Sequence, residues 1–218
     1  MDRDESWRVI ARQRRQLADL LDELSDAEWE TPSLCADWRV RDVAAHVALA
    51  PQAPSLSAMA ADAVRARGQF HRLNHDVSVR HAQRPVTDLV DELRRYADSR
   101  RLPIVTNYRN ILFDVLVHAQ DIALPLGRQL PMPPEAAAAA ATRVWTMGWP
   151  FWARRRLRAV RLVANDVSWS VGTGPDVTGP IDALLLLLTG RTVALSRLTG
   201  AGLTRMANAR SRRTSPGG

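Results

Sequence analysis

Residues 107–122 read Asn107-Tyr-Arg-Asn-Ile-Leu-Phe-Asp114-Val-Leu-Val-His118-Ala-Gln-Asp121-Ile122. Apolar residues fill most of the circumference at helical spacing, the pattern of a helix buried inside a bundle. One polar stripe interrupts it. Asn107, Asp114, His118 and Asp121 follow at intervals of seven, four and three, so they share a face. Asp114 and His118, four residues apart, can direct a carboxylate and an imidazole at one point. The alternative is a plain solvent face. Solvent faces elsewhere in the chain are studded with arginine, however, and none occurs from Asn110 to Gly127.

Working outward, this segment predicts a helix over about 104–124, preceded by Pro103 and ended by Pro125 and Gly127. Trp7, Ile10, Leu17, Leu20, Leu21 and Leu24 recur at helical spacing and predict a first helix. A second starts near Val40, is broken by Pro51 and Pro54, and resumes to about Arg80. A third covers about 87–99 behind Pro85, with acidic first turns that suit the helix dipole. Four helices with short links predict an antiparallel bundle in a mainly α chain, assigned to residues 1–147. Beyond the alanine run at 136–141 the pattern changes. Residues 158–164 and 167–171 alternate as strands do, Gly172-Thr-Gly-Pro175 reads as a turn, and an apolar helix follows at 181–189. A small α+β domain at 148–209 and a disordered basic tail at 210–218 complete the expected layout.

The chain has 218 residues, enough for a medium domain with a small annex. All 30 basic residues are arginine, the net charge is +7 and the pI is about 11.1. Taken whole, that figure suggests a nucleic-acid or membrane-surface partner. The charge is uneven, however. Residues 1–153 hold 19 arginines and 20 acids, whereas residues 154–218 hold 11 and 3, so the excess belongs to the last third. Cys35 is the only cysteine, which rules out an intramolecular disulfide. The charged N-terminus does not read as a signal peptide, and the most apolar run, 184–188, is far too short to span a membrane. A cytoplasmic protein is expected.

His46 sits on an apolar segment with Asp42 one turn before it. Alone it reads as a core histidine. If its helix faces 107–122, two histidines and a carboxylate make a three-ligand site with an open position, the form of a catalytic zinc centre. Asp42 and Asp121 then fit as acceptors that orient the imidazoles. Each could instead serve its own helix terminus. Cys35 reads as a small buried hydrophobe, and Trp38 and Trp169 as core or interdomain anchors. His71 and His75 have metal-pair spacing but sit with His81 in an arginine- and glutamine-rich stretch that reads as solvated helix. No phosphate loop, Cys-x-x-Cys pair or nucleophile elbow is present.

Thr31-Pro-Ser-Leu-Cys-Ala-Asp-Trp-Arg-Val-Arg-Asp-Val-Ala-Ala-His46 and Leu116-Val-His-Ala-Gln-Asp-Ile-Ala-Leu-Pro-Leu-Gly127 resemble the mycothiol-dependent maleylpyruvate isomerase family of actinobacteria. The segment from Asn165 to Arg191 is similar to that family's small C-terminal domain. The resemblance implies a DinB-like metal-binding four-helix bundle, with zinc held by His46, Asp114 and His118. Relatives present Glu where this chain has Asp114, and the shorter arm loosens the site or favours another divalent ion. The implied chemistry is a zinc-bound low-molecular-weight thiol, mycothiol, adding to an activated cis double bond. Rotation and elimination give the trans isomer, or the thiol stays attached in a transferase. Such substrates are small and anionic, and Arg191 is the candidate cation, although it also reads as a surface arginine. A non-catalytic metal- or ligand-binding bundle is the alternative, and nucleic-acid binding through the basic C-terminal part is a weaker one.

Overall fold

The structure, a computed structural model, describes residues 1–52, 70–102 and 106–214. The middle of the expected second helix, Pro54 included, and the expected start of the fourth at Ile104 lie outside the described residues. The described chain forms two compact units, Asp2–Pro131 and the residues from Met132 onward.

In the first unit, Asp2 and Glu5 close a reciprocal capping box that starts α1 (Arg3–Asp22). Its apolar stripe buries Trp7, Ile10, Leu17 and Leu21 against α5 (Val86–Arg95) and α6 (Tyr108–Ala123). Each such aliphatic side chain contributes roughly 1.5–3 kcal/mol by leaving water. A short α2 (Asp26–Trp29) leads into a loop closed by Ser33 N–H on the Trp38 carbonyl at 2.9 Å. Asp37 takes a left-handed φ of 65° at the tip of that turn. The loop is tied to α6 by Leu34 N–H, which donates to the Asp121 carbonyl at 3.1 Å.

α3 (Val40–Leu49) is the central helix, packed on α4 (Phe70–His81), α5 and α6. Val40, Val43, Ala44, Ala45, Val47 and Ala48 are all buried, and the alanines let neighbouring helices approach closely. His46 is its only histidine and is carried on the same helix into the bundle. Asn107 caps α6, its side chain accepting from Arg109 N–H and Asn110 N–H.

The second unit begins earlier than expected. The boundary falls at 131/132 rather than 147/148, because α7 (Pro134–Thr146) packs on α9 (Ile181–Leu188). Ala136, Ala137, Ala140 and Ala141 present small side chains to a helix built of leucines, and both sides are buried. After a short α8 (Ala153–Arg156), β1 (Arg161–Ala164) pairs antiparallel with β2 (Ser170–Gly172) and parallel with β3 (Asp176–Gly179). The turn at 172–175 therefore does not join paired strands, since β1 lies between them. A 3-10 helix (Thr192–Arg197) and α10 (Ala201–Thr214) follow. Residues 210–214 thus continue a helix instead of an irregular tail, and 215–218 lie outside the described residues. Among the described residues no helix is long and apolar enough to cross a membrane.

Gly172 shows why the turn needs glycine. Its φ is +87°, and a Cβ there would stand 2.5 Å from the Val160 carbonyl oxygen. Gly172→Ala combines backbone strain with a clash against rigid backbone. It should cost about 3 kcal/mol, read as a lower denaturation midpoint with an unchanged m-value.

Candidate metal centre

Helices α3 and α6 bring His46, Asp114 and His118 together in the first unit. His46 Nε2 lies 3.5 Å from Asp114 Oδ2, and His118 Nε2 lies 3.5 Å from Asp114 Oδ1. The two imidazoles meet edge to face with centroids 4.9 Å apart. All three side chains are partly buried, between 14% and 26% exposed. Four-coordinate zinc with bonds of about 2.0–2.1 Å needs nitrogen and oxygen ligands about 3.3 Å apart. The separations of 3.5 Å therefore fit such an ion with little rearrangement, and the N, N, O donor set suits a divalent cation of this kind.

The outer nitrogens are also engaged. His118 Nδ1 is 2.8 Å from Oδ2 of Asp121, which is fully buried. This fixes His118 with Nδ1–H as the donor and leaves Nε2 free to ligate. His46 Nδ1 lies 3.4 Å from Ser78 Oγ on α4. Asp42 does not perform that task. Its carboxylate accepts from Arg39 Nε at 2.9 Å, Arg39 Nη2 at 3.0 Å and the Arg39 backbone N–H at 2.9 Å. It is spent on the start of α3, because an arginine three residues earlier reaches it first.

Two further residues face the centre from the 30–39 loop. Trp38 is half-buried, with its ring 5.4 Å from His46 and 6.3 Å from His118, nearly parallel to the latter. Cys35 Sγ lies 3.1 Å from Asp121 Oδ2 and 3.7 Å from His118 Nδ1. In the sequence Cys35 reads as a small buried hydrophobe and Trp38 as a core or interdomain anchor, and nothing marks Ser78. Only the paired loop and helix α4 bring them near, and local spacing carries no signal of that. His75 reaches the rim, 6.2 Å from the Trp38 ring, and its Nδ1 contacts Asp76. The His71 side chain lies outside the described residues. His81 is bound up with Glu92 at 2.7 Å. In the second unit, Arg191 donates to the Thr189 carbonyl at 2.9 Å, at the end of α9.

Burial alone would raise the Asp114 carboxyl, but the imidazoles of His118 and His46 outweigh it and hold it well below the usual carboxylate range. Burial would likewise lower His118. Asp114, with help from Asp121 and Cys35, overrides that and raises it well above 6.5. His118 is therefore protonated at neutral pH when no ion is bound. Because its folded value is raised, the stabilisation from this proton is full below 6.5 and fades as pH climbs through the folded value. A metal must displace that proton. Metal affinity measured by competition should thus rise with pH, by about tenfold per pH unit, until the raised His118 value is passed.

Residues 10–102 match the family model described as the mycothiol maleylpyruvate isomerase N-terminal domain. The match takes in α1 from Ile10 onward, α3 with His46, and α5, and stops short of Asp114 and His118 on α6. The whole chain is similar in fold to a crystal structure of the mycothiol-dependent maleylpyruvate isomerase. The identity is 14%, the TM-score is 0.62, and the match covers 92% of this chain and 93% of that one. A histidine-to-alanine mutant of that enzyme matches equally well, at 13% identity, a TM-score of 0.62 and the same coverage. At such identities the likeness is one of fold. No curated protein matches the chain.

Proposed function

We propose that this chain is a thiol-dependent enzyme of the maleylpyruvate isomerase type, using mycothiol or a thiol like it. It carries out cis–trans isomerisation, or thiol transfer, on a small anionic substrate, with zinc or a similar divalent ion at His46, Asp114 and His118. The observation that carries this reading is the orientation of both imidazoles. Their Nδ1 atoms are held by Asp121 and Ser78, so their Nε2 atoms converge on the Asp114 carboxylate. The family match of the helical unit and the fold-level likeness over nearly the whole chain support it.

When bound, the metal supplies Lewis acidity that lowers the pKa of a thiol and makes it a nucleophile at neutral pH. The protein supplies the geometry. Asp121 holds the His118 ring in one tautomer, and its complete burial keeps water from competing for that hydrogen bond. The Arg39–Asp42 pair pins the first turn of α3 one turn ahead of His46. Trp38 covers one side of the two imidazoles with an apolar face, which limits water there. Arg191 retains the proposed part of meeting the substrate's negative charge, and Arg191→Ala should then raise KM for an anionic acceptor more than it lowers kcat.

The test is a titration of mycothiol with zinc-loaded protein, following thiolate absorbance in the ultraviolet. The thiol pKa should fall by about one unit or more with wild type and stay unchanged with Asp114→Ala. A metal-loaded wild type that leaves the thiol pKa alone would favour a metal-binding bundle without this chemistry.

A further inference from the structure

Behind His118, on the side away from Asp114, lies a second set of donor atoms that the reading above does not use as ligands. Cys35 Sγ, His118 Nδ1 and Asp121 Oδ2 stand 3.7, 3.1 and 2.8 Å apart pairwise, all within 4.8 Å of one another. Cys35 is held there by its loop. Its backbone N–H donates to Ser33 Oγ at 3.1 Å, and its neighbour Leu34 is bonded to α6 at the Asp121 carbonyl. Around a four-coordinate cation, sulfur, nitrogen and oxygen ligands sit about 3.3–3.6 Å apart. The present triangle reaches that with shifts of a few tenths of an ångström on its shorter edges.

We propose that Cys35, His118 Nδ1 and Asp121 form a second metal site, specific for thiophilic divalent cations. A thiolate in the donor set selects soft ions, whereas the N, N, O centre in front of His118 has no sulfur and does not. One imidazole serves both sites, Nε2 in front and Nδ1 behind. Two bonds break and three form on loading, the third to the Asp121 carboxylate, which has no proton to lose. The Cys35 S–H and the His118 Nδ1–H leave as protons, and the sulfur and nitrogen lone pairs take the cation, with no change of oxidation state. Occupancy removes the hydrogen bond that orients His118, so a soft metal here perturbs the front centre from behind.

Cadmium is the probe, added to the full chain in a buffer free of thiols and read by the thiolate-to-cadmium charge-transfer band. Cys35 is the only cysteine, so any band reports this residue. Wild type and His46→Ala should both show it at one ion per chain, because His46 belongs only to the front centre. Cys35→Ser should lose the band entirely. His118→Ala, and independently Asp121→Asn, should raise the cadmium needed for half its amplitude by about 100-fold and about 10-fold. No band in wild type would overturn the site. So would a band unchanged in both His118→Ala and Asp121→Asn, which would mean that Cys35 binds alone, or one lost in His46→Ala. Failure of the front centre is a separate result, namely a Cys35→Ser protein that binds no cation at all.

Discussion

His118→Ala should bind zinc at least about 1,000-fold more weakly than wild type and lose thiol-dependent turnover, while its helical circular dichroism is retained. His118 supplies one of three protein ligands, and a structural zinc worth about 10–16 kcal/mol over four ligands assigns roughly 2.5–4 kcal/mol to each. The loss is larger than that of one bond, because Asp114 faces both imidazoles and His118 also holds Asp121. Asp121→Asn should cost only about 10–100-fold, since it disturbs the ring's orientation and not the ligand itself. The order of the two variants separates a ligand from its support. Equal losses would contradict the roles given to them.

Arg14→Met should destabilise the protein by about 3–5 kcal/mol, a large share of the roughly 5–15 kcal/mol typical of a domain. Arg14 is 1% exposed, and its Nη1 donates to the carbonyls of Tyr96, Ala97 and Ser99 at 3.3, 3.2 and 3.0 Å. These are the carbonyls just past the end of α5, where a cation also meets the negative end of the helix dipole. Burial lowers its pKa to about 10, so it remains charged at neutral pH. Methionine keeps much of the volume but removes the guanidinium donor from all three carbonyls, of which that of Tyr96 keeps the Ser99 N–H. Arg15→Met, one residue along on the exposed face, should change the denaturation midpoint very little. A mild effect at Arg14 would mean that water replaces the guanidinium.

The helices were legible because hydrophobic periodicity and proline breaks act locally. The spacing of Asp114, His118 and Asp121 placed them on one face, and that face is where α6 meets the centre. Long-range placement was not legible. Arg14 looks like any other arginine until α1 packs against the end of α5. Cys35 looks like a loop hydrophobe until Leu34 is tied to α6. Asp42 has the right spacing from His46, yet Arg39 competes for it more closely. The alanine helix at 136–141 reads as part of the bundle until the leucine face of α9 is seen to pack on it. The same holds for charge. The basic excess behind the chain's pI near 11 lies in residues 154–218, while the unit that carries the candidate centre is nearly neutral.

Cis–trans isomerisation of maleylpyruvate by the purified chain, followed by absorbance with mycothiol and zinc each added or withheld, tests the central claim most directly. Turnover should require both, should disappear on chelation and should return when zinc is restored. Turnover undiminished by chelation, or a zinc-loaded protein that neither isomerises the substrate nor joins mycothiol to it, would contradict it.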